Sequence, residues 1–315
     1  MKTNMSTFIT LLIFSFNILT SCNNGEDIQQ TDIKNETEEP SIPNEEEEQQ
    51  PEEDSNLPEL PTDQKWVLQE ILSNEFNYEG KDSDEFNNNW KVGYINAWTG
   101  PGMTQYSGSQ STITNGEMIY KATIVGETIK TGCISSKNSV QYPMYMVVRA
   151  KISESSLATA VWMLSQDSTQ EIDNLEAYGD KTNDYFSKRL HLSHHTFIRD
   201  PFDDYQPSGP ETYYADGKGT YWADDFHEYG VLWEDPWTLK YYVDGELVRT
   251  TPKNEIDPRN HTNGNGLTKP MFLIISAAAQ PWRANQGINY LTDPSVLSEE
   301  RSTARFDWIR VYKPE

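Results

Sequence analysis

The segment Glu171-Ile172-Asp173-Asn174-Leu175-Glu176 sets three carboxylates in an otherwise apolar stretch. In an extended strand successive side chains alternate faces, so Glu171 and Asp173 point the same way and strict alternation sends Glu176 to the other side. One extra residue, a β-bulge, returns Glu176 to the shared face, and such bulges recur beside active sites. Three acids converging on one cleft suit glycosidic bond cleavage, in which one carboxylate attacks or activates and another protonates the departing oxygen. The same spacing also fits a partly exposed strand carrying solvated acids. The segment alone leaves both readings open.

Aromatic residues make up 12% of the chain, with nine Trp and seventeen Tyr, so their placement matters more than their number. Trp98 sits in Asn96-Ala97-Trp98-Thr99-Gly100-Pro101-Gly102, a loop sequence that gives an indole little to pack against. An exposed indole offers a sugar ring a broad apolar face, so Trp98 and Trp162 are expected to stack ligand, with Trp222 and Trp282 as further candidates. Trp66, Trp233 and Trp308 lie in apolar strand patterns and are expected in the core. His191, His194 and His195 invite a metal reading, but alternation throws His194 and His195 to opposite faces of a strand, which argues against it.

These side chains need a scaffold, and from Trp66 onward the pattern is one of short β-branched and aromatic runs between Gly, Pro, Asn and Asp. Strands are expected at 117–124, 144–151, 158–164, 189–199, 226–233, 239–243, 271–279 and 304–312. Asp244-Gly245 between Tyr241-Tyr242-Val243 and Glu246-Leu247 reads as a tight hairpin turn. No helical period longer than three turns is present; the stretch after Pro294 has room for one short helix. No fixed repeat appears, which disfavours propellers and solenoids. The economical fold for residues 64–315 is all-β: a two-sheet antiparallel jelly-roll sandwich with a concave cleft, as one domain.

Upstream the composition changes. Residues 1–21 pair Lys2 with an apolar stretch from Phe8 to Leu19, too short for a comfortable membrane span, and so read as a signal peptide. Leu19-Thr20-Ser21-Cys22 resembles a bacterial lipobox, which implies cleavage before Cys22 and lipidation of its thiol. Residues 22–63 read as a disordered acidic tether: from residue 23 they hold fifteen acids against Lys34, more than half of the chain's net charge of −24. The remaining acidity argues against nucleic acid as a partner, since phosphate contacts need clustered Lys and Arg. Cys133 is the only other cysteine, so no intramolecular disulfide is expected once Cys22 is lipidated.

Longer motifs sharpen the reading. Trp162-Met163-Leu164-Ser165-Gln166-Asp167 leads into the acidic segment, followed by Ala177-Tyr178-Gly179. Then come Arg189-Leu190-His191-Leu192-Ser193-His194-His195, Phe197-Ile198-Arg199-Asp200-Pro201-Phe202-Asp203-Asp204-Tyr205-Gln206-Pro207, Phe226-His227-Glu228-Tyr229-Gly230, and Phe306-Asp307-Trp308-Ile309-Arg310-Val311-Tyr312. Over nearly all of residues 66–315 these resemble the β-agarases of glycoside hydrolase family 16. The resemblance implies a retaining mechanism with Glu171 as nucleophile, Glu176 as acid/base and Asp173 assisting. Such a mechanism needs its two carboxyl groups roughly 5–5.5 Å apart. Crowded carboxylates cannot all ionise cheaply, and Glu176 is the one expected to keep its proton. The resemblance also puts His195 and Arg199 on sugar hydroxyls, and places Trp282 and Arg283 among the substrate-binding residues. It implies no cofactor for catalysis, but a possible structural calcium held through Glu75 and Asp307. Ala279 departs from the pattern, in which an acid commonly precedes Gln280.

The expectation is therefore a monomeric, exported endo-β-agarase, anchored by lipid at the outer membrane and facing the exterior, that cuts β-1,4 links of agarose. One rival is a porphyranase acting on sulfated galactan, which would need a cationic pocket; Lys91 and Arg283 are the candidates. The other is a lipoprotein that captures glycan without cutting it.

Overall fold

A computed structural model describes residues 56–315. The expected leader, Cys22 and most of the tether lie outside the described residues. The packed domain reaches back beyond the boundary expected at residue 64. Trp66 donates its indole N–H to the Pro58 carbonyl at 2.7 Å. Leu57 packs against a cluster containing Tyr145, Val147, Leu232 and Tyr312. Leu57 and Pro58 are apolar residues at the end of an acidic run, and they give that end something to bury.

Two large antiparallel sheets face each other. One carries Glu246–Thr251, Thr238–Val243, His227–Asp235, Met144–Lys151, Ala304–Pro314, Glu117–Tyr120 and Ser111–Thr114 in spatial order. The other runs Phe202–Tyr205, Leu190–Arg199, Gln170–Ala177, Ala158–Ser165, Met271–Ala278, Cys133–Val140 and Trp90–Val92. This is the expected sandwich. The 117–124 run breaks into Glu117–Tyr120 and Thr123–Val125, and the helix after Pro294 is Pro294–Leu297. Asp244 and Gly245 have φ of 49° and 80°, the paired positive values that a twist-matched two-residue hairpin turn requires.

The continuous apolar runs at Ala158–Ser165 and Met271–Ala278 have a simple cause: both faces of these strands are covered. Val161, Met163, Leu273 and Ile275 point between the sheets into the main core. Trp162, Leu164 and Ile274 point the other way and form a second cluster with Ile95 and Cys133. Tyr94, from a loop, and Tyr106, at the end of the short strand Thr104–Tyr106, pack on that cluster and wall the concave side. Trp233 is fully buried as expected, while Trp66 and Trp308 pack on the outer face of the first sheet. Trp222, one of the stacking candidates, is instead 2% exposed and belongs to the core.

Candidate active site

Strand Gln170–Ala177 carries the expected bulge, and its neighbours date it to one residue. Against Ala158–Ser165, Leu175 pairs with Val161 and Asp173 with Trp162, which leaves Asn174 as the extra residue. The pairing with Leu190–Arg199 shifts between Asp173 and Glu176. Asn174 is fully buried and donates to the Tyr229 carbonyl of the opposite sheet at 2.9 Å. With Ile172 and Leu175 also in the core, Glu171, Asp173 and Glu176 are left together on the concave face. They line a cleft of about 920 Å³. The solvated-acid reading fails, because all three side chains are at most 16% exposed.

Strand register also supplies each glutamate with a histidine. Glu171 lies opposite His195 and Glu176 opposite His191. His191 Nδ1 is 2.9 Å from Glu176 Oε2, and Tyr178 donates its hydroxyl to Glu176 Oε1 at 2.6 Å. Burial alone would raise Glu176, but these hydrogen bonds and the His191 charge outweigh it and hold the carboxyl below its usual value. Glu171 is driven well above the carboxylate range by burial and then by the Asp173 charge; Asp173 is raised by burial as well. These directions favour a proton on the Glu171–Asp173 side over one on Glu176. The direction at Glu176 runs against the expectation that Glu176 keeps the proton, because strand register sets His191 against its carboxyl.

His194 points away into the core, where its Nε2 donates to the Ile256 carbonyl at 3.0 Å, as alternation requires. Burial pushes it down to about 3. Atoms of Glu171, Asp173 and His195 suited to a metal come within 4.8 Å of one another. His195, however, has a carboxylate facing each ring nitrogen, Asp204 at 2.8 Å and Asp173 at 3.5 Å. Both nitrogens then carry protons, and no lone pair remains for a cation.

Two aromatic groups flank the acids. On the Glu171 side Trp98 is 45% exposed and edge-on to Tyr94, ring centroids 5.1 Å apart. Trp162 forms the floor, its indole N–H donating to Ser276 Oγ at 3.1 Å. Arg199 lines the same end; its guanidinium lies 4.4 Å over Phe197 and donates to the Ser168 carbonyl. On the Glu176 side Trp282 stands edge-on to Tyr178 at 5.6 Å, and Tyr213 stacks on His191 at 4.4 Å. Gln280 donates to Glu176 Oε1 at 3.4 Å. Ala279 is buried under the strand end, its N–H donating to Thr104.

Three expectations fail here. Arg283 is 2% exposed, with its guanidinium 3.7 Å from the Phe186 ring centroid and donating to Gln286, so it braces Trp282 from below and does not reach the cleft. Lys91 donates to the Ile95 carbonyl at 2.9 Å and does not line the cleft either. The calcium pair is engaged by cations: Glu75 is held by Arg310 through two bonds of 2.8 and 2.9 Å, and Asp307 pairs with Arg149. Guanidinium groups already hold both Glu75 oxygens and Oδ2 of Asp307, so this pair does not fit a calcium ion. Sequence reasoning missed Asp204, Tyr94, Tyr178 and Tyr213. The alternation His191, His195, Phe197, Arg199 along one strand was the available signal for a shared face; Tyr94 and Tyr213 had none.

The family described as "Beta-porphyranase A-D, GH16 domain" matches residues 66–314. The chain belongs to glycoside hydrolase family 16. Within the family, it is 48% identical to beta-agarase AgaA of Microbulbifer thermotolerans over 77% of this chain and 58% of that protein. It is 46% identical to beta-agarase A of Zobellia galactanivorans, over 79% of this chain and 46% of that protein. The chain thus spans about half the length of these two family 16 relatives. A crystal structure of beta-agarase A in complex with oligoagarose superposes with a TM-score of 0.75 and 41% identity, covering 81% of this chain and 95% of that one. Beta-porphyranase B of Phocaeicola plebeius is more distant, at 24% identity over 82% of this chain and 88% of that protein.

If Trp98 stacks a sugar, Trp98→Ala should weaken oligosaccharide binding by about 1–3 kcal/mol, the scale for a large apolar side chain. Calorimetry on a catalytically silenced background reads this directly; unchanged affinity would return Trp98 to scaffolding.

Proposed function

We propose that this chain is an endo-acting, retaining β-agarase that cuts the β-1,4 galactosidic links of agarose. The observation that carries it is the convergence, through the bulge at Asn174, of Glu171, Asp173 and Glu176 in a cleft flanked by aromatic side chains. The similarity to beta-agarases supports the substrate. In this reading Glu171 attacks the anomeric carbon and Glu176 protonates the departing oxygen, then activates water for the second step. Asp173, sharing the proton with Glu171 at rest, takes it up as Glu171 ionises to attack. Glu176 acquires its own proton once a bound sugar displaces water and makes its charge more costly. Trp98, Trp162 and Trp282 give the sugar rings their apolar platforms, while Arg199 and Gln280 offer donors to hydroxyls.

Among the residues lining the cleft Arg199 is the sole Lys or Arg, and it is already bonded to Ser168 and stacked on Phe197. Glu171, Asp173, Glu176 and Asp204 line the same space. Such a surface favours a neutral galactan over a sulfated one, since a sulfate needs unspent donors of positive charge. Product analysis on agarose, porphyran, carrageenan and laminarin side by side tests the reading. Neoagaro-oligosaccharides should appear from agarose alone; preferential release from porphyran would transfer the assignment, and binding without products would favour glycan capture.

The same proposal extends to location: an exported lipoprotein held by Cys22 at the outer membrane, with the acidic segment as spacer. Its support is the lipobox-like Leu19-Thr20-Ser21-Cys22 and the tether composition. Cys22→Ser should move the protein from the membrane fraction to the soluble one without loss of specific activity. Retention in the membrane fraction would remove the lipid anchor.

A further inference from the structure

Asp204 has no part in the chemistry described so far, yet it makes the shortest contact to His195. The Asp200–Pro201 turn folds Phe202–Tyr205 back along Leu190–Arg199, pairing Thr196 with Tyr205 and Phe197 with Asp204. That register brings Asp204 Oδ1 to 2.8 Å from His195 Nδ1. The other ring nitrogen, Nε2, lies 3.5 Å from Asp173 Oδ2 and 3.9 Å from Glu171 Oε1. Phe197 fixes the ring plane, stacked at 5.2 Å and 11°. A neutral imidazole would have to turn one lone pair onto a carboxylate, whichever tautomer it chose. With Asp204 on one side and the Glu171–Asp173 pair on the other, the doubly protonated cation is the form that donates to both.

The surroundings bear on that charge from several elements. Glu171, Asp173 and Glu176 face it from the bulged strand, and Asp204 from the hairpin. On its own strand His191 is paired with Glu176, His194 points into the core, and Arg199 lies beyond the Phe197 ring. Tyr94 closes the loop side near Glu171. His195 is thus the cation closest to the Glu171–Asp173 pair.

We propose that Asp204 is a positioning residue for bond cleavage: it holds His195 doubly protonated, with Nε2–H aimed at Asp173 and Glu171, and so keeps a fixed positive charge beside the nucleophile. This rests on Glu171 being the nucleophile as proposed above. When Glu171 attacks, its negative charge is consumed in the new C–O bond, and when water cleaves the glycosyl-enzyme the charge returns. A cation held from behind by Asp204 stays in place through both steps, whereas a histidine free to lose its proton would leave two acids facing each other. Burial works against the ring's charge, but Asp204 first and then Glu171 and Asp173 overcome it, lifting His195 to about 10.

The test uses Asp204→Asn, which keeps shape and removes charge, with Asp204→Glu as the conservative control. Imidazole proton–nitrogen correlation NMR should show His195 doubly protonated at pH 8 in the wild type and in Asp204→Glu, and titrating near neutrality in Asp204→Asn. In kcat/KM on oligoagarose, the basic limb of the pH profile should move down by about one pH unit or more in Asp204→Asn, because His195 then loses its charge near neutrality and no cation faces Glu171 and Asp173 above it. A residue that only supported the hairpin would lower kcat/KM uniformly across pH. An unchanged limb, or a ring still doubly protonated in Asp204→Asn, overturns the proposal. A wild type that cuts no galactan while its ring behaves as described would defeat the proposed activity and still support the hold of Asp204 on His195.

Discussion

Glu171→Gln is expected to abolish turnover and at the same time to stabilise the fold. Loss of a nucleophile from a covalent mechanism lowers kcat on the order of 10⁴-fold or more. The second half follows from linkage. Glu171 lies well above its ordinary value of 4.5 when folded, raised by burial and by Asp173. Below 4.5 both folded and unfolded chains hold the proton and the group is neutral to stability. As pH rises above 4.5 the unfolded chain releases it first, so stability falls until the folded value is reached. At neutral pH the wild type bears that cost, and a glutamine of equal shape does not. Tm of the variant should therefore exceed that of the wild type, by about 2–4 °C for each kcal/mol relieved. Calorimetric melting at pH 7 and reducing-end assay on agarose read the two halves. Lost activity with a lowered Tm would mean that Glu171 was needed for packing.

Glu176→Gln should behave in the opposite way on stability. Its carboxylate is held low by His191 and Tyr178, against burial, so it stabilises the fold above the unfolded value and ceases to as pH falls through the folded one. The variant should melt below the wild type at pH 7 and at nearly the same temperature in acid. Its kcat on agarose should drop by about 10²–10⁴, the range for one general acid–base group. An aryl glycoside whose phenolate leaves without protonation separates the two steps. The first should remain fast, giving a burst of phenolate, and the second should be slow because the base is gone. A variant equally impaired in the burst would assign the acid to another residue.

The contrast between these two glutamates shows what each level of description contained. The three acids, their shared face and the need for a bulge could be read from side-chain alternation, because a strand's period of two is local and any departure from it must be repaired locally. The paired sheets could be read in the same way, from β-branched runs between turn residues, and so could the opposed directions of His194 and His195. Short strands such as Thr128–Thr131 and polar ones such as Cys133–Val140 escaped, since their pattern is set by neighbours across the sheet.

What only the folded chain decided is the protonation order. Glu171 and Glu176 are the same residue type in one strand, yet burial and Asp173 raise the first while His191 and Tyr178 lower the second. Arg283 could likewise be placed near the cleft by its neighbours Gln280 and Trp282, but the turn of helix Pro281–Asn285 sends it beneath them into a cage of aromatic rings. Glu75 and Asp307 kept the right chemistry for an ion until Arg310 and Arg149 met them from other parts of the chain. Sequence spacing determines which way a side chain leaves its own strand. The charge it carries depends on what other strands bring within a few ångströms, because electrostatic energies are set by distance and desolvation and not by order along the chain.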